Sequence, residues 1–279
     1  MRTHSPVARR ATFAVLPIAI AIAAFGGDPG AATRLATRYG PPGAVGAGTA
    51  RTYVIIEGDA PVEVGIELDS MALERLPAAR NQPMGPGHED MHVYLLSMPA
   101  DNPTPYRFAE LDWNPAGHHP QFIYGVPHFD FHFYLIDRAA REAIDSSDAA
   151  WDRRMNNLPT PEFVPAGYEY AGKSFGGPII YATVPHMGVH WVSTASPELQ
   201  RSPERFTHTY LVGTWDGRVI FHEPMVTLET LLRRRTIETP VPVARAHERD
   251  GYYPDAYRIA WLASQGRYRV SLTRLAWRE

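Results

Sequence analysis

The segment Pro127-His128-Phe129-Asp130-Phe131-His132-Phe133-Tyr134 concentrates the residue types that do chemistry. On a β-strand successive side chains point to opposite faces. His128, Asp130, His132 and Tyr134 then share one face, and Phe129, Phe131 and Phe133 share the other. Three phenylalanines in register predict a core face. The opposite row of imidazole, carboxylate and imidazole is costly to bury without partners. It supplies ligands for a divalent transition metal, zinc first, with copper, iron, nickel or manganese as alternatives. Spacing limits how the ligands combine. Residues two apart on a strand lie about 7 Å apart, and residues four apart about 13 Å. His128 and His132 therefore reach one ion only if Pro127 kinks the strand start. Otherwise one of them supports the site from behind, or there are two ions.

The other histidines, of 12 in the chain, cluster as well. His190 falls near the start of an apolar run after Pro185 and Gly188, a good position for a ligand facing a pocket; His186 falls in the preceding loop. If Phe221 faces the core, Glu223 returns inward two residues later, and an inward carboxylate needs a cation or a donor. His128, His132, His190 and Glu223 are the expected metal ligands. Asp130 and His118 are the expected catalytic or proton-transfer groups, with Asp130 able to orient a histidine by accepting its second N–H. His118 lies in a loop after Trp113-Asn114-Pro115, and His119 beside it is expected to be exposed. A metal there would lower the pKa of a water or polarise a substrate oxygen, with Glu223 or Asp130 as base.

His88-Glu89-Asp90-Met91-His92 matches the H-E-x-x-H signature, which holds zinc only on a helix. Pro83, Gly85, Pro86 and Gly87 precede it and strand-like residues follow, so it reads as a loop entering a strand, with His92 left to face the site. There is no phosphate-binding glycine loop and no G-x-S-x-G elbow. Lys173, the sole lysine, reads as a surface residue.

The elements that position these residues read mainly as strands. Apolar runs at 52–56 and 62–68 flank Gly58, Asp59 and Pro61 as a hairpin. Further strands are expected at 93–98, 106–111, 129–136, 179–183 and 189–194. Strands 206–213 and 218–222 flank Trp215-Asp216-Gly217, a strong hairpin signal. A last hairpin joins 256–262 to 268–275. Short helices are expected at 71–76, at 137–144 with extension through 148–155, and at 227–234. The expected fold is mainly β: a single antiparallel β-barrel or two-sheet sandwich with a few short helices.

Composition agrees. The 26 prolines, 22 glycines and 14 tyrosines in 279 residues suit short strands and turns. The absence of cysteine excludes disulfides, thiolate metal sites and a cysteine nucleophile. A net charge of -3 argues against nucleic-acid binding. Arg2, Arg9 and Arg10 precede an apolar run over 11–25 that is too short to span a membrane. Small residues follow, as at the exit of a secretory signal peptide. Residues 1–32 are therefore read as a signal peptide, 33–50 as a flexible lead-in, and 51–279 as a β-rich metal-site domain, secreted or periplasmic, with no membrane span after signal removal. Three functions compete: a metal-dependent hydrolase or lyase acting on a small molecule, a non-catalytic envelope protein that binds metal or a small ligand, and an oligomeric stress-response protein without metal.

Four segments carry a resemblance: Trp113-Asn114-Pro115-Ala116-Gly117-His118, Pro127 to Tyr134, Met187 to Trp191, and Glu223-Pro224-Met225. Through them the chain resembles a family of exported bacterial proteins of unknown function, typified by a sigma-factor-regulated thermophile protein. The resemblance implies a secreted β-rich domain, a homo-oligomer and a link to envelope stress. It implies no reaction and no catalytic residues.

Overall fold

The computed structural model describes residues 34–78, 91–174, 176–200 and 204–279. The chain opens with β1 (Leu35–Tyr39), β2 (Gly43–Val45), β3 (Gly48–Glu57) and β4 (Ala60–Asp69). It then forms β5 (His92–Ser97), β6 (Phe108–Asn114), helix α1 (Gln121–Tyr124), β7 (His128–Tyr134), α2 (Arg138–Glu142) and α3 (Trp151–Asn156). There follow β8 (Tyr168–Tyr170), α4 (Ala171–Ser174), β9 (Thr183–Val184), β10 (Gly188–Ser193), β11 (His208–Trp215), β12 (Arg218–Thr227) and α5 (Leu228–Leu232). The chain ends with β13 (Ile237–Pro240), β14 (Gly251–Tyr253), β15 (Ala256–Leu262), β16 (Arg267–Thr273) and β17 (Ala276–Arg278).

Two large antiparallel sheets result. The first runs β1-β3-β4-β16-β15-β13 with β2 beside β3, and the second runs β5-β6-β7-β12-β11-β10-β8 with β9 beside β10. Each ends in edge strands, so the molecule is a two-sheet sandwich and not a closed barrel. Phe129, Phe131 and Phe133 of β7 and Ala109, Leu111 and Trp113 of β6 pack against Val54, Ile66, Leu68, Val270 and Leu272 of the first sheet. That is the phenylalanine face expected of β7. Truncating a buried phenylalanine in such a core costs about 3–5 kcal/mol.

Local chemistry places the elements. Asp216 and Gly217 both have positive φ, 46° and 81°, so the β11–β12 hairpin turns through the left-handed pair that Asp-Gly favours. Thr227 caps α5 by accepting the Thr230 N–H, and Asp137 caps α2 in the same way through Ala140. Residues 35–39 and 43–45, expected as a loose lead-in, are strands: β1 pairs along β3 from Leu35↔Glu57 to Tyr39↔Tyr53. The expected strand at 179–183 is mostly a 3-10 turn, Ile179–Ala182, entered from Pro178. Among the described residues no helix is long and apolar enough to cross a membrane.

Candidate metal centre

The second sheet buries both faces of β7. Its face away from the sandwich is covered by α1, α3, α4 and the segment around Ala182 to Met187, which pack on Phe108, Tyr134, Val189, Phe221 and Met225. His128, Asp130 and His132 are consequently 0%, 2% and 1% exposed. A polar row this deep is cut off from bulk solvent.

Register builds the site. β6 lies beside β7 with Glu110↔His132, Asp112↔Asp130 and Asn114↔His128. β12 lies on the other side with His222↔Phe133 and Met225↔Asp130, which sets Glu223 level with His132. Cross-strand neighbours of this kind have Cβ atoms about 4.5–5.5 Å apart. Phe221 shares the Glu223 face, but that face holds the histidines. Its ring lies over Gly213, where a Cβ would stand 2.1 Å from it, and beside His132 and His190. His118 arrives from the β6–α1 loop. Gly117 turns it at φ +72°, and a Cβ there would meet the Tyr124 carbonyl oxygen at 2.1 Å.

The tautomers follow from the partners. His118 Nδ1 lies 2.8 Å from the His119 carbonyl oxygen, His128 Nδ1 2.7 Å from that of Val126, and His190 Nδ1 3.1 Å from that of Ala182. A carbonyl oxygen only accepts, so each Nδ1 carries a proton, and on a neutral ring Nε2 then keeps a lone pair. His132 Nδ1 faces Asp112 Oδ2 at 3.3 Å. The four Nε2 atoms then point at carboxylate oxygens. His118 and His128 stand 3.4 and 3.2 Å from the two oxygens of Asp130, and His132 and His190 stand 3.5 and 3.9 Å from those of Glu223. Lone pair against carboxylate repels unless a proton or a cation lies between. Burial depresses the pKa of His132 to about 3 and of His190 to about 4, so those two rings stay neutral and leave Nε2 free to accept a proton from Glu223 or to bind a cation.

The carboxylates are short of cations too. Glu110 is held by Arg141 through Oε2 at 2.6 Å and Oε1 at 2.8 Å. Among the described residues no arginine or lysine forms an ion pair with Asp112, Asp130 or Glu223. Burial raises the pKa of Asp112, with Glu110 and Asp130 adding to it, and burial raises Glu223, with Asp130 adding to it. Burial alone would raise Asp130 as well, but His128 and His118 hold it well below the usual carboxylate range. Both oxygens of Asp112, Asp130 Oδ1, Glu223 Oε2, His128 Nε2 and both ring nitrogens of His132 have no hydrogen-bond partner in the protein.

Three sets have ligand atoms within 4.8 Å of one another: His118/His128/Asp130, His132/His190/Glu223 and Glu110/Asp112/His132. The buried groups are thus close enough to hold a metal ion. His118, Asp130, His132, His190 and Glu223 line one cavity of about 40 Å³, with His119, Pro120 and Tyr181 at its exposed end. At roughly 10–15 Å³ for each water-sized occupant, that is room for about three ions or waters.

The four expected ligands divide. His132, His190 and Glu223 come together, whereas His128 joins His118 and Asp130, because strand geometry keeps His128 and His132 apart. His118 and Asp130, expected as proton-transfer groups, stand among the ligand atoms. His92 does not face the centre: it pairs with Trp113 and shares the sandwich side of the sheet. His88, Glu89 and Asp90 lie outside the described residues. His186 takes φ 68° and is not in any of the three sets. Lys173 is exposed and pairs with Glu169. Glu110, Asp112, Asn114 and Arg141 were not anticipated. The alternation of Glu110, Asp112 and Asn114 with Ala109, Leu111 and Trp113 signalled the first three.

Compared with known proteins, the chain matches no family model, no curated protein and no solved structure.

Proposed function

We propose that this is an exported metalloprotein that binds a divalent transition metal, zinc foremost, in the cavity above β7, and that the bound metal serves hydrolysis of a small substrate. One observation carries the reading: four imidazoles, three with Nδ1 held by a backbone carbonyl and His132 with Nδ1 3.3 Å from Asp112, present Nε2 to Asp130 and Glu223, which form no ion pair with arginine or lysine among the described residues. Neutral imidazole and carboxylate are the ligands such an ion takes, and a carboxylate or carbonyl behind each ring is the usual support. Two imidazoles and one carboxylate leave coordination positions for water, as catalytic sites do. A divalent metal so held lowers the pKa of a water. The chain's own part is to fix ring orientation, keep His132 and His190 neutral through burial, and offer Glu223 as a proton acceptor beside them.

A second reading, sequestration without catalysis, draws on the small size of the cavity. Metal analysis of the untagged protein tests the common part. Bound metal is expected in the wild type and a loss in His132→Ala and His190→Ala; full metal content in both variants would refute it. Hydrolysis of p-nitrophenyl acetate or bis(p-nitrophenyl) phosphate that disappears with chelator and returns with zinc separates hydrolase from store.

A further inference from the structure

We propose that the cavity takes two divalent cations side by side, one on His118, His128 and Asp130, the other on His132, His190 and Glu223. This rests on the reading of the cavity as a metal centre. Strand geometry is the first ground. His128 and His132 stand four residues apart on the regular strand β7, about 13 Å between Cα atoms. Side chains stand roughly perpendicular to a strand, so the two rings do not converge, and none of the three sets of ligand atoms holds both. Both Nε2 atoms are nevertheless buried without a hydrogen-bond partner in the protein, and one ion does not reach both rings.

The second ground is that the two sets are alike and complete. Each has two imidazole Nε2 atoms and one carboxylate, and each carboxylate divides its oxygens between its two rings. Asp130 belongs to the first set and Glu223 to the second, and they are near enough to repel. Asp130, His118, His132, His190 and Glu223 open on the same cavity, so the ions face a common space.

The third set, Glu110/Asp112/His132, is support and not a further site. Glu110 is committed to Arg141. The His132 ring offers Nδ1 to Asp112 and Nε2 to the Glu223 side, so Asp112 stands behind the ring as a positioning residue.

Charge is the third ground. With Glu110 neutralised, Asp112, Asp130 and Glu223 remain. One divalent cation leaves a buried negative charge when all three are ionised; two leave a positive one, the sign that holds an anionic ligand. Two-metal centres hold their ions about 3.5–4 Å apart and clamp the oxygens of displacement reactions. The substrate class is therefore a small oxyanion ester or carboxyl compound that bridges the pair.

Counting zinc tests this. Untagged protein is stripped with chelator, equilibrated with excess Zn²⁺, desalted and analysed. Two zinc per chain are expected in the wild type, one in His128→Ala, one in His190→Ala, and none in the double variant. Wild type alone is then loaded with Mn²⁺ for electron paramagnetic resonance, which depends on no variant folding; an exchange-coupled pair is expected. One zinc per chain in the wild type, lost alike in both single variants, would overturn the two-ion arrangement and leave the metal centre standing. Two manganese ions with uncoupled spectra would overturn their adjacency. No zinc in the wild type would overturn the metal centre itself, and this proposal with it.

Discussion

Each sheet buries carboxylates on the face turned away from the sandwich, and the two faces handle them differently. On the first sheet, Glu67 is fully buried and ringed by Arg51, Arg267 and Arg269. Glu63 beside it takes Arg258 and the Tyr53 hydroxyl. The guanidinium groups of Arg51 and Arg269 lie over the Tyr39 and Tyr53 rings and close the face. On the second sheet Glu110 has an arginine, whereas among the described residues Asp112, Asp130 and Glu223 have imidazoles and no arginine. An arginine-clad carboxylate is finished by the chain itself. A carboxylate facing imidazole lone pairs is finished by something the chain must bind. The comparison separates structural charge from a site by the partners, not by burial.

Substitutions can break or sharpen that contrast. The largest effect is expected at Arg141→Met, which strands Glu110 as a buried charge; loss of about 3–5 kcal/mol in urea unfolding is the prediction. Next comes Asp112→Asn, which removes the support of the His132 ring while leaving the six ligands in place. Zinc affinity by competition with a chromogenic chelator should fall by about 10–100-fold, with little change in the stability of the metal-free protein.

Glu223→Gln should change sign with metal. In the metal-free protein the raised pKa of Glu223 means that its protonated form is the one the fold favours. That contribution is present below the unfolded value near 4.3 and is lost as pH rises through the folded value. Metal-free Glu223→Gln is therefore expected to exceed wild type by about 1 kcal/mol at pH 8 and to match it at pH 4. Saturating zinc should reverse the order at pH 8. Thermal melts at both pH values, with and without zinc, check this. The smallest effect belongs to the first sheet: Arg267→Met leaves Glu67 with Arg51 and Arg269 and should cost less than about 1 kcal/mol. A loss at Arg267 equal to that at Arg141 would erase the contrast.

Much of this was legible in the residues. The alternation over Phe129 to Phe133 gave the core face, and Asp216-Gly217 gave the hairpin that carries Glu223 back toward β7. The distance between His128 and His132 warned that they would part. What alternation within a strand cannot show is which strand lies beside it. The pairing of Glu110 with His132 and Asp112 with Asp130 depends on β6–β7 register, set by tertiary packing. Likewise nothing local in the Gly117-His118 turn tells that it folds back on Asp130. The strands β1 and β2 were missed because Gly40 to Gly48 reads as a loop, while their order comes from pairing with β3.

X-ray absorption at the zinc edge on untagged, zinc-loaded protein tests the centre most directly. The account predicts a first shell of mixed nitrogen and oxygen at about 2.0–2.1 Å, with the outer-shell pattern of two imidazoles per zinc. An all-oxygen shell without imidazole scattering, or zinc that leaves on desalting, would contradict it.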